Sequence, residues 1–152
     1  MISGNNTHKK NIAILISPGF TENEVVYCLS QMRAAGLSTT LVGATNSLVK
    51  SQHGLIVQPD LTLRELTPLP PFHMLIIPGS YECVSNLLTS PDFHFQVEKS
   101  VTGDGHVVIF NSAETALKQV APFATPTEKI LYQQQQPLES FCQQLIHTLM
   151  AV

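Results

Sequence analysis

Residues 11–36 read NIAILISPGFTENEVVYCLSQMRAAG, and this stretch decides the architecture. Its first seven residues form a nearly continuous apolar run closed by Pro18-Gly19, the pattern of a strand buried on both faces rather than one with a wet side. From Thr21 the period changes. Val25, Leu29 and Met32 fall on one helical stripe, and Gly36 stands where a helix commonly turns out through its C′ residue. Leu37 to Val42 then returns to β character. A strand, a helix and a strand joined by short connections begin an α/β fold on a mainly parallel sheet.

The rest of the chain extends this plan. Leu48 to Pro59 holds two short extended pieces around Gln52-His53-Gly54, which reads as a small hairpin. Pro68, Pro70 and Pro71 interrupt regular structure without marking a domain boundary, because a strand from His73 to Ile77 follows at once and again ends in Pro-Gly. Ser80 suits the cap of a helix over Tyr81 to Leu88. Ser90-Pro91-Asp92 opens another, with Phe93, Val97 and Val101 on one face. Residues 102–105 turn the chain into a strand from His106 to Phe110. A short helix over 113–119, a loop with Pro122 and Pro126, and a strand from Glu128 to Gln133 follow. Pro137 opens a final helix with Leu138, Phe141, Cys142, Leu145, Ile146 and Leu149 at helical spacing. There is no internal repeat, and Gln133 to Gln136 is too short to count as low-complexity sequence.

A chain of 152 residues suffices for one hydrophobic core, so a single domain is expected after a flexible start over residues 1–10. Charged residues make up 12% of the chain, about half of the roughly 25% usual in soluble domains. A surface so neutral repels itself weakly, and a homodimer is expected. The net charge of −3 and eight scattered Lys and Arg residues supply no basic stripe for nucleic acid. Ile12 to Ile16 is too short to span a membrane or serve as a signal-peptide core, so no membrane partner and a cytoplasmic location are expected. Cys28, Cys83 and Cys142 are odd in number and far apart in sequence, which fits reduced, buried thiols better than a disulfide or zinc framework.

Ligands of open α/β sheets gather outside the carboxyl ends of the strands, where helix N-termini and loop amides converge. Three turns should meet there: residues 17–24, 78–83 and 111–115. Glu24 lies in a capping box with Thr21, and taken alone it reads as a cap bonding back to the Thr21 amide. The amides of Gly79 and Ser80 are placed either to form a tight turn or to receive an oxyanion or carboxylate. Asn111 ends a buried strand and opens a helix, the position of an elbow nucleophile or of an Asx-type cap. An amide is no nucleophile, and Ser112 becomes one only with a base beside it. Cys83 sits on the first turn of a helix, which could favour its thiolate, although packing is its simpler role. Six His residues without ligand spacing predict no metal, and the absence of a glycine-rich loop after the first strand predicts no nucleotide or flavin cofactor.

Four segments in this order, ILISPGFTENEVV, SQHGLIVQPDLTL, HMLIIPGS and VVIFNSAETAL, resemble the ThiJ/PfpI family of the class I glutamine amidotransferase-like superfamily over residues 10–120. The resemblance implies a flavodoxin-like three-layer α/β/α sandwich over residues 11–152, a homodimer, and a pocket where an elbow cysteine meets a carboxylate. Family activities include amidase or peptidase, glyoxalase or deglycase, isocyanide hydratase, chaperone and redox-sensing roles. Glu24 matches the pocket glutamate, Gly79 and Ser80 match the oxyanion-type turn, and the nucleophile position falls on Asn111. Ser112 stands where amide-hydrolysing members carry histidine. Between Leu117 and Glu128 the chain is shorter than family members, which implies a shallower, wetter pocket. These departures point to a domain that has lost the cysteine-dependent chemistry and binds a small ligand or a protein partner, with Asn111 donating its amide hydrogens to ionised Glu24. The alternative is a cysteine-independent hydrolase or hydratase using Glu24 as general acid or base.

Overall fold

The computed structural model describes residues 10–118, 120, 123 and 127–150. The apolar run at the start forms β1, Asn11–Ile16. Ile12 to Ile16 are fully buried, each large side chain contributing about 1.5–3 kcal/mol by leaving water. Helix α1, Glu22–Ala34, buries Val25, Cys28 and Met32, while Leu29 packs only partly against the core. Gly36 closes the helix with φ of +83°, a conformation glycine adopts without Cβ strain. β2, Ser38–Gly43, follows. β3, Val49–Lys50, and β4, Ile56–Val57, pair antiparallel as the expected hairpin.

β5, Leu61–Thr62, and a short 3-10 turn over Arg64–Leu66 were not foreseen, because two residues carry no period to detect. Then come β6, Met74–Ile77, α2, Tyr81–Leu88, α3, Pro91–Thr102, and β7, His106–Ile109. The side chains of Ser80 and Ser90 accept from the amides of Cys83 and Phe93, as their capping positions require. Helix α4, Asn111–Leu117, starts two residues earlier than its apolar pattern suggests, since Asn111 and Ser112 form its first turn. β8, Ile130–Tyr132, is shorter than read, and α5, Leu138–Met150, closes the described chain. Gln119, Pro122, Pro126 and residues 1–9 lie outside the described residues.

The main sheet runs β5-β2-β1-β6-β7-β8, every pairing parallel. α1 packs against α5, while α2 packs against α3 and α4. This is the flavodoxin-like sandwich that was expected. The chain moves from β1 outward to β2, then crosses to β6 on the other side. The order therefore reverses between β1 and β6, and a crevice forms at their carboxyl ends. No helix among the described residues is long and apolar enough to cross a membrane.

Candidate functional site

The three turns expected at the carboxyl edge do meet, and backbone bonds lock them together. The Thr21 amide donates to the Gly79 carbonyl at 2.8 Å, and the Phe110 amide donates to the Ile77 carbonyl at 3.3 Å. Ser80 Oγ donates to the Gly19 carbonyl at 2.6 Å. Gly79 is squeezed between turns: a Cβ built on it would lie 1.7 Å from Ser112 Oγ and 2.4 Å from Ser112 Cβ. Only a residue without a side chain fits.

Glu24 is not the cap that its motif suggests. Thr21 makes no side-chain cap bond, and Glu24 turns across the crevice instead. Its Oε1 accepts from the Gly79 amide at 2.8 Å, and its Oε2 accepts from Ser112 Oγ at 2.8 Å. Two donors from separate turns outcompete one local amide because their placement is fixed by the sheet. Burial pushes the Glu24 carboxyl above its ordinary value, against the opposing pull of the Gly79 and Ser112 hydrogen bonds.

Asn111 corrects a second expectation, for it is Ser112 that donates to Glu24. Asn111 turns toward the segment after β8. Its backbone N–H donates to Gln133 Oε1 at 2.9 Å, and its side-chain Oδ1 accepts from the Gln135 backbone N–H at 3.2 Å. Gln133 Nε2 also donates to the Gln136 carbonyl at 2.7 Å. The glutamine run set aside as short low-complexity sequence is thus the brace of the elbow. Gln134 and Gln135 hold positive φ of 56° and 68°, and nothing in their residue type signals that turn.

A second carboxylate on the first turn of α1, that of Glu22, faces the hairpin instead. Glu22 Oε2 accepts from Ser51 Oγ at 2.8 Å and from the His53 amide at 3.1 Å, with His53 Nδ1 2.9 Å from Oε1. Although partial burial pushes it up, the bonds from His53 and Ser51 hold the Glu22 carboxyl down at about 2. The motif SQHG thereby ties the hairpin to the first turn of α1. Sequence reasoning found the hairpin and missed this link, because its partners lie 29 and 31 residues apart.

Cys83 gains no thiolate character from its helix. Burial pushes its thiol up to about 11, and its carbonyl and sulfur both face Ser17 Oγ, at 2.6 and 3.2 Å. Cys28 and Cys142, far apart in sequence, are neighbours in space with Sγ atoms 3.0 Å apart. Among the described residues no group of three or more His, Cys, Asp or Glu side chains is arranged to hold a metal ion. A cavity of about 280 Å³ lined by Pro71, Phe72, His73, Gly103, Asp104 and Gly105 precedes β6 and β7, at the sheet edge opposite the crevice. It contains none of the candidate residues.

The sequence model of the DJ-1/PfpI family matches residues 10–120, the span carrying all three turns. Among solved structures, a cysteine-to-alanine mutant of a DJ-1 superfamily protein from Salmonella typhimurium superposes with a TM-score of 0.80 at 19% identity, covering 93% of this chain and 91% of that one. Oxidized DJ-1 from Toxoplasma gondii gives 0.81 at 12% identity over 93% and 91%. DJ-1beta from Drosophila melanogaster gives 0.79 at 16% over 95% and 92%.

Proposed function

The chain belongs to the DJ-1/PfpI family, and from that premise we propose that its crevice binds a small polar ligand or a protein partner without cysteine-dependent chemistry. The observation that carries this reading is the occupancy of Glu24: one carboxylate oxygen takes the Gly79 amide and the other takes the Ser112 hydroxyl. The acid that would otherwise face an elbow thiol is engaged in holding three turns together. At the elbow stands Asn111, whose amide side chain offers a ligand hydrogen-bond donors but cannot attack it. With the Ser112 hydroxyl proton and the Gly79 amide both given to Glu24, a ligand carbonyl or carboxylate would meet the side-chain NH2 of Asn111 at the mouth of the crevice. A homodimer agrees with the sparse charge, and it would cover Leu48, Leu55 and Ile56 on the hairpin segment and Val26 on α1, all exposed apolar side chains. A cytoplasmic setting suits three cysteines kept as thiols.

One feature favours a second reading. The Glu24 carboxyl is pushed up by burial and lies 2.8 Å from a hydroxyl, a pairing that could move a proton in a hydration or hydrolysis. Assaying the purified protein with methylglyoxal, small amides and isocyanides separates the two. The binding reading expects turnover no faster than with Glu24→Gln, while turnover that this substitution abolishes establishes the enzyme.

A further inference from the structure

We propose that Cys28 and Cys142 form a peroxide-sensitive dithiol that closes to an intramolecular disulfide between α1 and α5, directly behind the candidate site. The two sulfurs are 3.0 Å apart although 114 residues separate them. A disulfide bond is about 2.05 Å long, so closure asks for a movement of only about 1 Å. Both cysteines are fully buried. They meet within the hydrophobic core, on the buried faces of α1 and α5 where the two helices pack together.

The pair is joined to the crevice through both helices. Cys28 lies one helical turn beyond Glu24, on the same face of α1. Next to Cys142, Phe141 packs edge-to-face on Phe110 with ring centroids 5.6 Å apart, and Phe110 immediately precedes Asn111. A covalent tie between α1 and α5 would therefore fix the helix that carries Glu24 against the helix that supports the elbow.

The hydrogen bond from Cys28 holds the Cys142 thiol below its ordinary value despite burial, while the same bond and burial push Cys28 up. Cys142 is thus the first nucleophile and Cys28 the resolving thiol. Cys142 thiolate attacks one oxygen of hydrogen peroxide; the O–O bond breaks, sulfur becomes a sulfenic acid, and the departing hydroxide takes the thiol's proton to give water. Cys28 sulfur then attacks Cys142 sulfur, the S–O bond breaks, and the second hydroxide leaves with the Cys28 proton as water. Two thiols lose two electrons and one peroxide becomes two waters. Peroxide is small and uncharged, and its route to the buried pair is a transient opening of the α1–α5 contact, of the kind that packed helices undergo.

The test treats the full reduced chain with hydrogen peroxide and maps its cysteines by mass spectrometry without reduction. The expected product is a monomer lighter by two hydrogens, with the Cys28 and Cys142 peptides linked, a raised Tm, and full reversal by dithiothreitol. In Cys28→Ser, whose hydroxyl can still donate to the Cys142 sulfur but cannot form the disulfide, dimedone should trap Cys142 as a sulfenic acid; the wild-type link stands as the readout if that variant fails to fold. Links between chains, links through Cys83, separate sulfinic acids on Cys28 and Cys142, or both thiols unchanged would overturn the proposal.

Discussion

At position 79 the absence of a side chain is what brings two turns into contact. An alanine methyl would sit where Ser112 Oγ and Cβ already are, at 1.7 and 2.4 Å. The hydroxyl could rotate away; Cβ could not, because Ser112 is fixed in the first turn of α4. Gly79→Ala is therefore expected to cost roughly 1–3 kcal/mol, the range of an overpacked core site, and to break the Ser112 to Glu24 bond. Urea unfolding measures the cost, and adding Ser112→Gly should recover part of it. Recovery of nothing would mean that the strain lies elsewhere. The candidates at this scale were legible in unequal measure. The turns of Glu24, Gly79 and Ser112 are legible in the sequence and do come together, but the sequence points to Asn111 as the partner of Glu24 where the structure has Ser112, because one residue of helix phase decides which of two adjacent side chains faces the crevice.

Among the elements, the Glu22 carboxylate ties the hairpin to the first turn of α1, beside the backbone bonds from Gly19 to Lys50 and from Gln52 to Phe20. Glu22 has a folded value of about 2 against an ordinary 4.5. A carboxyl held low in the folded state favours folding above its ordinary value and loses that contribution as pH falls from about 4.5 toward 2. Glu22→Gln should thus unfold at lower urea than wild type at pH 7, and the gap should close as the pH approaches that of full protonation. A gap of constant size across this window would show that the charge is irrelevant and only the shape of the side chain counts. The strands and helices themselves could be read from period and punctuation: buried runs ending in Pro-Gly, caps at Ser80 and Ser90, and the stripe of α5. What stayed hidden were features with no local signature. β5 has two residues, the Gln133 to Gln136 brace depends on positive φ at residues that seldom adopt it, and the contact between Cys28 and Cys142 exists only after α5 folds back onto α1.

Across the whole molecule, that return of α5 unites the two ends of the described chain. β1 and α1 supply Glu24, β7 and α4 supply the elbow, and α5 touches both through neighbouring residues, Phe141 on Phe110 and Cys142 on Cys28. Phe141 is fully buried, so Phe141→Ala removes its transfer free energy and leaves a cavity beside Phe110. The expected cost is about 3–5 kcal/mol, a large share of the roughly 5–15 kcal/mol that holds a typical domain folded. Urea unfolding gives that number. Because the cavity opens under the elbow, the variant should also perturb the NMR amide resonances of Asn111 and Ser112 more than those of Gly54 at the hairpin turn. A loss below about 1 kcal/mol, within the usual range for a substitution that disturbs no packing, would mean that α5 is not the clamp of the site and that the sheet alone positions the three turns.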